Sequence, residues 1–139
     1  MTIQTHTLQF STRGNADIVD ITEQVAACVG ETGLKAGIVT VFCPSSTSAL
    51  TTIEYESGVL SDLKRLFDQI VPESQVYQHD ARWGDGNGHS HVRAALLGPS
   101  LTVPFANRRL TLGSWQQVIY IEFDNRPRRR ELIVQVIGE

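Results

Sequence analysis

No apolar run in this 139-residue chain is long enough to cross a bilayer, and its first residues lack the charged-then-apolar pattern of a secretion signal. A membrane-spanning helix is excluded on that ground, and a cytoplasmic location is expected. Cysteine is scarce: Cys28 and Cys43 are the only two, each set in an apolar segment with no histidine or other base beside it. That disfavours a disulfide framework and a thiol nucleophile, and points to buried, inert thiols in a reducing compartment. Charge of one sign is also missing, with 12 basic against 15 acidic residues, so there is no electrostatic footprint for nucleic acid or a membrane surface. Repeats, low-complexity stretches and linkers are absent, which leaves one domain over residues 1–139. A chain of this size buries roughly two thirds of the surface its unfolded form exposes, enough for a core without staples. Nor is there a Gly-rich phosphate loop, an Asp-rich diphosphate motif or a recognised zinc spacing.

What is present is mostly strand pattern. Thr5 to Ser11 alternates, with His6, Leu8 and Phe10 on one side. Asp20 and Glu23 resemble a capping pair for a helix over Ile21 to Thr32, closed by Gly33. Ala36 to Cys43 is β-branched and almost wholly apolar, the profile of a central strand buried on both faces, with Leu50 to Glu54 as its expected neighbour. Leu60, Leu63, Leu66, Phe67 and Ile70 make the apolar, core-facing stripe of a second helix over Gly58 to Val71. A short helix over Val92 to Leu97 and strands over Leu101–Phe105, Arg109–Leu112, Gln117–Phe123 and Glu131–Ile137 complete the pattern. The class expected is α+β: one compact domain of mostly antiparallel or mixed sheet with two main helices.

Between Tyr77 and His91 lie three of the four histidines, in a Gly- and Asp-rich segment without periodicity. His79, His89 and His91 form an H-x9-H-x-H array, and imidazole is the commonest ligand for zinc-like ions. On extended backbone His89 and His91 would point to one side, with the Gly84 to Gly88 loop returning His79 towards them. Three ligands would leave one coordination position open, as a catalytic metal requires. The alternative is a set of exposed loop histidines.

Other residues carry two readings each. The hydroxyls of Ser45 to Ser48 follow a buried strand, where they could hold a phosphate or carboxylate, or only satisfy a turn. Glu54 and Glu56 could share a face, or sit at an exposed strand end. Trp115 and Gln116 suit a ligand wall, although a tryptophan usually packs on a core. Arg128 to Arg130, after Pro127, reads as a solvated turn; contact with phosphate is the sharper alternative, and nucleic acid is disfavoured.

The chain resembles the YjbQ family, small proteins also described as secondary thiamine-phosphate synthases. The resemblance rests on Phe42 to Glu54, on Tyr77-x-His79, on Asn87-Gly88-His89-Ser90-His91, on Leu97 to Pro104, on Leu110 to Gln116, and on Pro127 to Arg130. It implies an α+β fold, a homotrimer, and a histidine-lined site near a subunit boundary holding a divalent metal, with zinc the ion expected. His79, His89 and His91 are the implied metal ligands and Glu54 an acid or base. Ser46, Thr47, Ser100 and Gln116 are the implied ligand contacts. One departure stands out: many members carry histidine directly after the proline, where this chain has Ser45. The activity implied couples a thiazole phosphate to a pyrimidine diphosphate with loss of pyrophosphate. The expectation is therefore a metal-dependent enzyme on a small phosphorylated metabolite. The alternative is a non-catalytic trimer that binds a metal or small ligand; neither reading involves nucleic acid or a membrane.

Overall fold

The computed structural model describes every residue from Met1 to Glu139. Its elements run β1 (Thr2–Thr12), β2 (Asp17–Asp20), α1 (Thr22–Thr32), β3 (Gly37–Phe42), β4 (Ser48–Ile53), α2 (Ser57–Ile70), α3 (Gln78–Trp83), α4 (Gly88–Leu97), β5 (Ser100–Ala106), β6 (Arg109–Leu110), β7 (Gln117–Glu122) and β8 (Arg128–Gly138). The strands form a larger sheet in the order β1-β8-β3-β5-β6 and a smaller one in the order β2-β7-β4, with every pairing antiparallel. The fold is thus the α+β domain that the pattern suggests, and no helix in it is long and apolar enough to cross a membrane.

Three layers hold it together. Val39, Val41, Val103, Leu132 and Val134 on the inner face of the larger sheet meet Leu50, Val118 and Tyr120 of the smaller sheet, with Val25, Cys28 and Val29 of α1 filling the side. The other face of the smaller sheet, Ala49, Ile119 and Ile121, is covered by Phe67 of α2 and Ala94 of α4. Burial of these side chains is the main stabilising term, each fully buried Val, Leu or Ile contributing about 1.5–3 kcal/mol. Cys28 and Cys43 are free and buried, and burial raises both thiol pKa values, as inert core thiols require.

Three expectations are corrected here. The strand buried on both faces is β7, with Val118 to Glu122 at 1 % exposure or less, because it lies in the middle layer. In β3 only Val39 and Val41 turn inward, while Ile38 and Phe42 are exposed, since no helix covers the outer face of the larger sheet. Accordingly β4 pairs with β7 and not with β3. The second correction concerns α2: Phe67 is buried, and Leu60 and Leu63 pack beside it, but Leu66 and Ile70 remain exposed because the stripe is wider than the surface it covers. Third, Arg128 to Arg130 is not a turn but the opening of β8, with Arg128 opposite Thr12 and Arg130 opposite Phe10 on β1.

The helix ends are set by local chemistry. Asp20 Oδ1 accepts the Thr22 N–H (3.0 Å) and hydroxyl (2.6 Å) at the start of α1, and Gly33 closes it at φ 72°. Glu56 accepts the N–H groups of Gly58 (2.8 Å) and Val59 (2.9 Å), which assigns that carboxylate to capping α2.

Candidate metal and anion site

The Tyr77–His91 segment is not extended: Gln78–Trp83 forms α3, Gly88 opens α4, and residues 84–87 make the loop between them. Gly84 (φ 71°) ends α3, and the chain turns through Gly86 (φ 69°) into α4. Asp80 Oδ1 accepts the Gly88 N–H at 2.8 Å and ties the two helices together. A Cβ at position 88 would lie 2.5 Å from Tyr77 Cβ, so only glycine permits this approach.

Helix geometry then separates two of the histidines, because residues two apart lie about 200° apart around the axis. His91 sits beside His79 with ring centroids 4.4 Å apart. His89 turns inward, 2 % exposed, with its ring centroid 6.3 Å from that of Tyr77. Burial, followed by the charge of Arg93, holds the His89 pKa below the ordinary histidine range, which makes it a neutral core side chain. His79 and His91 are brought together; His89 is not.

These two rings open onto a hollow of about 470 Å³ whose wall includes Ser45, Ser46 and Thr47 from the β3–β4 loop, Trp83 and Asp85 after α3, Asn87, and Arg128 and Arg130 of β8. Within it His79 Nε2 lies 3.2 Å from Asp85 Oδ1 and 3.0 Å from Asn87 Oδ1. The Asn87 amide oxygen position is also 3.1 and 3.2 Å from the two Asp85 oxygens, a convergence of acceptors that either a reversed amide or a cation relieves. His79, Asp80 and Asp85 each offer one ligand atom, all within 4.8 Å of one another.

Behind the hollow is a buried charged layer. Glu122 and Asp124, both with no exposed side-chain surface, hold the two arginines. Arg130 donates from Nε to Glu122 Oε2 (2.6 Å) and from Nη2 to Oε1 (2.5 Å), and Arg128 donates from Nε (2.9 Å) and Nη2 (2.7 Å) to Asp124 Oδ2. Thr47 links the pairs, accepting from Arg130 Nη2 (2.8 Å) and donating to Asp124 Oδ2 (3.2 Å). Thr12 adds a donor to Glu122 at 3.0 Å. Burial by itself would raise the Asp124 pKa, but the bonds from Arg128 and from the Asn125 N–H outweigh it and hold the carboxyl below its ordinary range.

The remaining expected residues lie elsewhere. Ser100 and Gln116 line a second hollow of about 350 Å³ between β4 and β5, where Gln116 donates to Thr52 Oγ1 (3.1 Å). Glu54 is exposed in a third, with Tyr55, Ser114 and Trp115; that tryptophan is 75 % exposed and does not pack on the core. Of the residues carried by the resemblance, only His79, His91, Ser46 and Thr47 therefore share a hollow within one chain. Asp85 and Asn87 join them without having been singled out, and so do Arg128 and Arg130 of the basic run, for which phosphate contact was one of the two readings. A signal existed for the arginines: Glu122 and Asp124 alternate at the end of an apolar strand, and so do Arg128 and Arg130 at the start of another, as period-two pairing would require.

Fold and site together define a two-sheet α+β protein with a His- and Asp-edged, arginine-backed hollow. The chain belongs to the YjbQ family: the model described as "UPF0047 protein YjbQ-like" matches residues 6–139. It is 38 % identical to a UPF0047 protein of Archaeoglobus fulgidus over 130 residues, 94 % of this chain and 98 % of the relative. It is 34 % identical to the UPF0047 protein YugU of Bacillus subtilis over 134 residues, 95 % of this chain and 98 % of that one. Its fold matches a crystal structure of a YbjQ-like protein of unknown function from Sulfolobus solfataricus, with a TM-score of 0.89, 28 % identity, and 99 % and 100 % of the two chains covered.

Proposed function

We propose that this chain is a metal-dependent enzyme acting on a small phosphorylated metabolite, with the hollow between His79, His91 and Arg128 as its site. The observation that carries this reading is the convergence of His79, Asp80 and Asp85, whose ligand atoms all lie within 4.8 Å of one another, at the edge of a hollow that His79, Asp85 and His91 line. His79, Asp80 and Asp85, with the His91 ring beside that of His79, are the residues that would hold a divalent ion, and the nitrogen and oxygen donor set suits zinc. Such an ion supplies a Lewis acid for charge developing on a phosphoryl or diphosphate leaving group. His89 is left out of this ligand set because it is buried away from the other two rings. The hollow's volume falls within the range of small-molecule sites. Thiamine-phosphate synthase chemistry, which the family resemblance implies, is the first reaction to assay.

A homotrimer is part of the same proposal. The bare outer face of the larger sheet carries a row in register, Ile3–Ile137–Ile38–Pro104, and a second apolar pair, Ile133 and Phe42, which favour cover by another copy. In each chain Glu54, Ser100 and Gln116 line hollows separate from the one that His79 and His91 edge. Ser45, at the position where many relatives carry histidine, favours a second reading, in which the trimer binds a metal or small ligand without turnover.

Tag-free protein stripped by chelation and reloaded with zinc separates the two. Zinc-dependent turnover of thiazole and pyrimidine phosphates, or of another phosphorylated metabolite, lost in His79→Ala/His91→Ala, supports the enzyme. Zinc that raises the melting temperature with no turnover on any phosphorylated substrate supports the binding protein.

A further inference from the structure

The strand β8 sorts its three consecutive arginines by alternation. Arg128 and Arg130 line the hollow, while Arg129 is exposed and lies with Gln9 and Glu131 beside another, smaller hollow that Arg130 also borders. Each of the two inward guanidinium groups is held by a fully buried carboxylate through Nε and Nη2. That leaves Nη1 of each without a partner in the protein and not buried. Ser45 Oγ accepts the Thr47 N–H (3.1 Å), so its own hydrogen is free to donate, and Ser46 is exposed with no bond to its hydroxyl. The Thr47 hydroxyl is already used on both sides.

From these observations we infer that Arg128 and Arg130, with the Ser45 and Ser46 hydroxyls, bind the phosphoryl group of the ligand. This inference rests on the hollow being the functional site, as proposed above, and names the part of the ligand that each side of it takes. The carboxylates Glu122 and Asp124 are positioning residues: they fix the planes of the guanidinium groups in advance, so that little side-chain freedom is lost on binding. A phosphate monoester presents three terminal oxygens and about −1.5 to −2 of charge to these two cations and two hydroxyls, whereas a carboxylate presents two oxygens and a single charge. The Asp85 carboxylate faces the same hollow and repels an anion, which places the phosphoryl group at the arginine end and any cation at the His79 end.

The test is a titration with inorganic phosphate, followed by ³¹P NMR, of the full chain both stripped of metal and preloaded with zinc. Arg128→Gln should weaken phosphate binding ~10-fold or more in both states, as loss of one charge-assisted bond requires. Ser46→Ala, at an exposed site that cannot disturb folding, should weaken it about three-fold. Arg129→Gln should bind like the wild type, and all three variants should take up as much zinc as it does. Wild-type affinity in Arg128→Gln, acetate binding equal to phosphate, or no phosphate binding by the stripped wild type would each overturn the inference. Failure to take up zinc would count against the metal reading alone, because the stripped-protein titration depends on the arginines and not on the ion.

Discussion

Arg130 and Glu122 meet through two parallel hydrogen bonds, Nε to Oε2 at 2.6 Å and Nη2 to Oε1 at 2.5 Å, at the junction of β7 and β8 where Glu122 has no exposed surface. The pair joins the last two long strands and backs the hollow at once. Replacing Arg130 by methionine strands a buried charge and should cost about 3–5 kcal/mol in denaturant unfolding. Glu122→Gln combined with Arg130→Gln should cost less than the sum of the single changes, since neither charge is then left alone.

Asp124 gives the acid behaviour. Its carboxyl pKa is lower in the folded chain than in the unfolded one, so its stabilising effect is fully present above an unfolded value of ~3.9 and is lost as the pH falls through the folded value. Arg128→Gln removes two of the bonds that lower this pKa and leaves burial opposing the charge. The variant should begin to unfold at a higher pH than the wild type in an acid titration followed by circular dichroism, while the two differ least near neutrality in the slope of stability against pH.

Gly88 sets the spacing of the two helices that carry His79 and His91. Gly88→Ala would place a methyl 2.5 Å from Tyr77 Cβ and 2.9 Å from Cγ, so α3 and α4 must move apart. A cost of about 1–3 kcal/mol is expected from overpacking, together with weaker metal uptake than in a variant of equal stability altered far from the site.

Much of the fold was legible because it rests on periodicity. The α1 and α2 helices, the alternation of β1 and the apolar strands follow from spacing alone. The layer order did not, because β3 and β7 are alike in composition, and which of them receives helices on its second face is decided by tertiary packing. The site was legible in part: His79, His91, Ser46 and Thr47, all singled out in the sequence, line one hollow. The His89 expectation depended on reading Gly- and Asp-rich sequence as extended chain, whereas Asp80 reaches forward to Gly88 and starts a helix there. The pairing of Thr47 with Arg130 and Asp124 spans most of the chain and has no local signature.

His89 is the sharpest contrast between spacing and structure. His89→Ala should lose about 2–3 kcal/mol of stability through the cavity left behind in a buried site, and should leave the hollow's donors in place. Thermal melts of the metal-stripped protein check the first part of this expectation.

The most direct test of the account is elemental analysis of tag-free protein reloaded with zinc and desalted, comparing wild type, His89→Ala and His79→Ala/His91→Ala. About one ion per subunit is expected in the wild type and in His89→Ala, and none in the double variant. A wild type that holds no metal, or a double variant that keeps it, would contradict the claim that His79 and His91 edge a metal site.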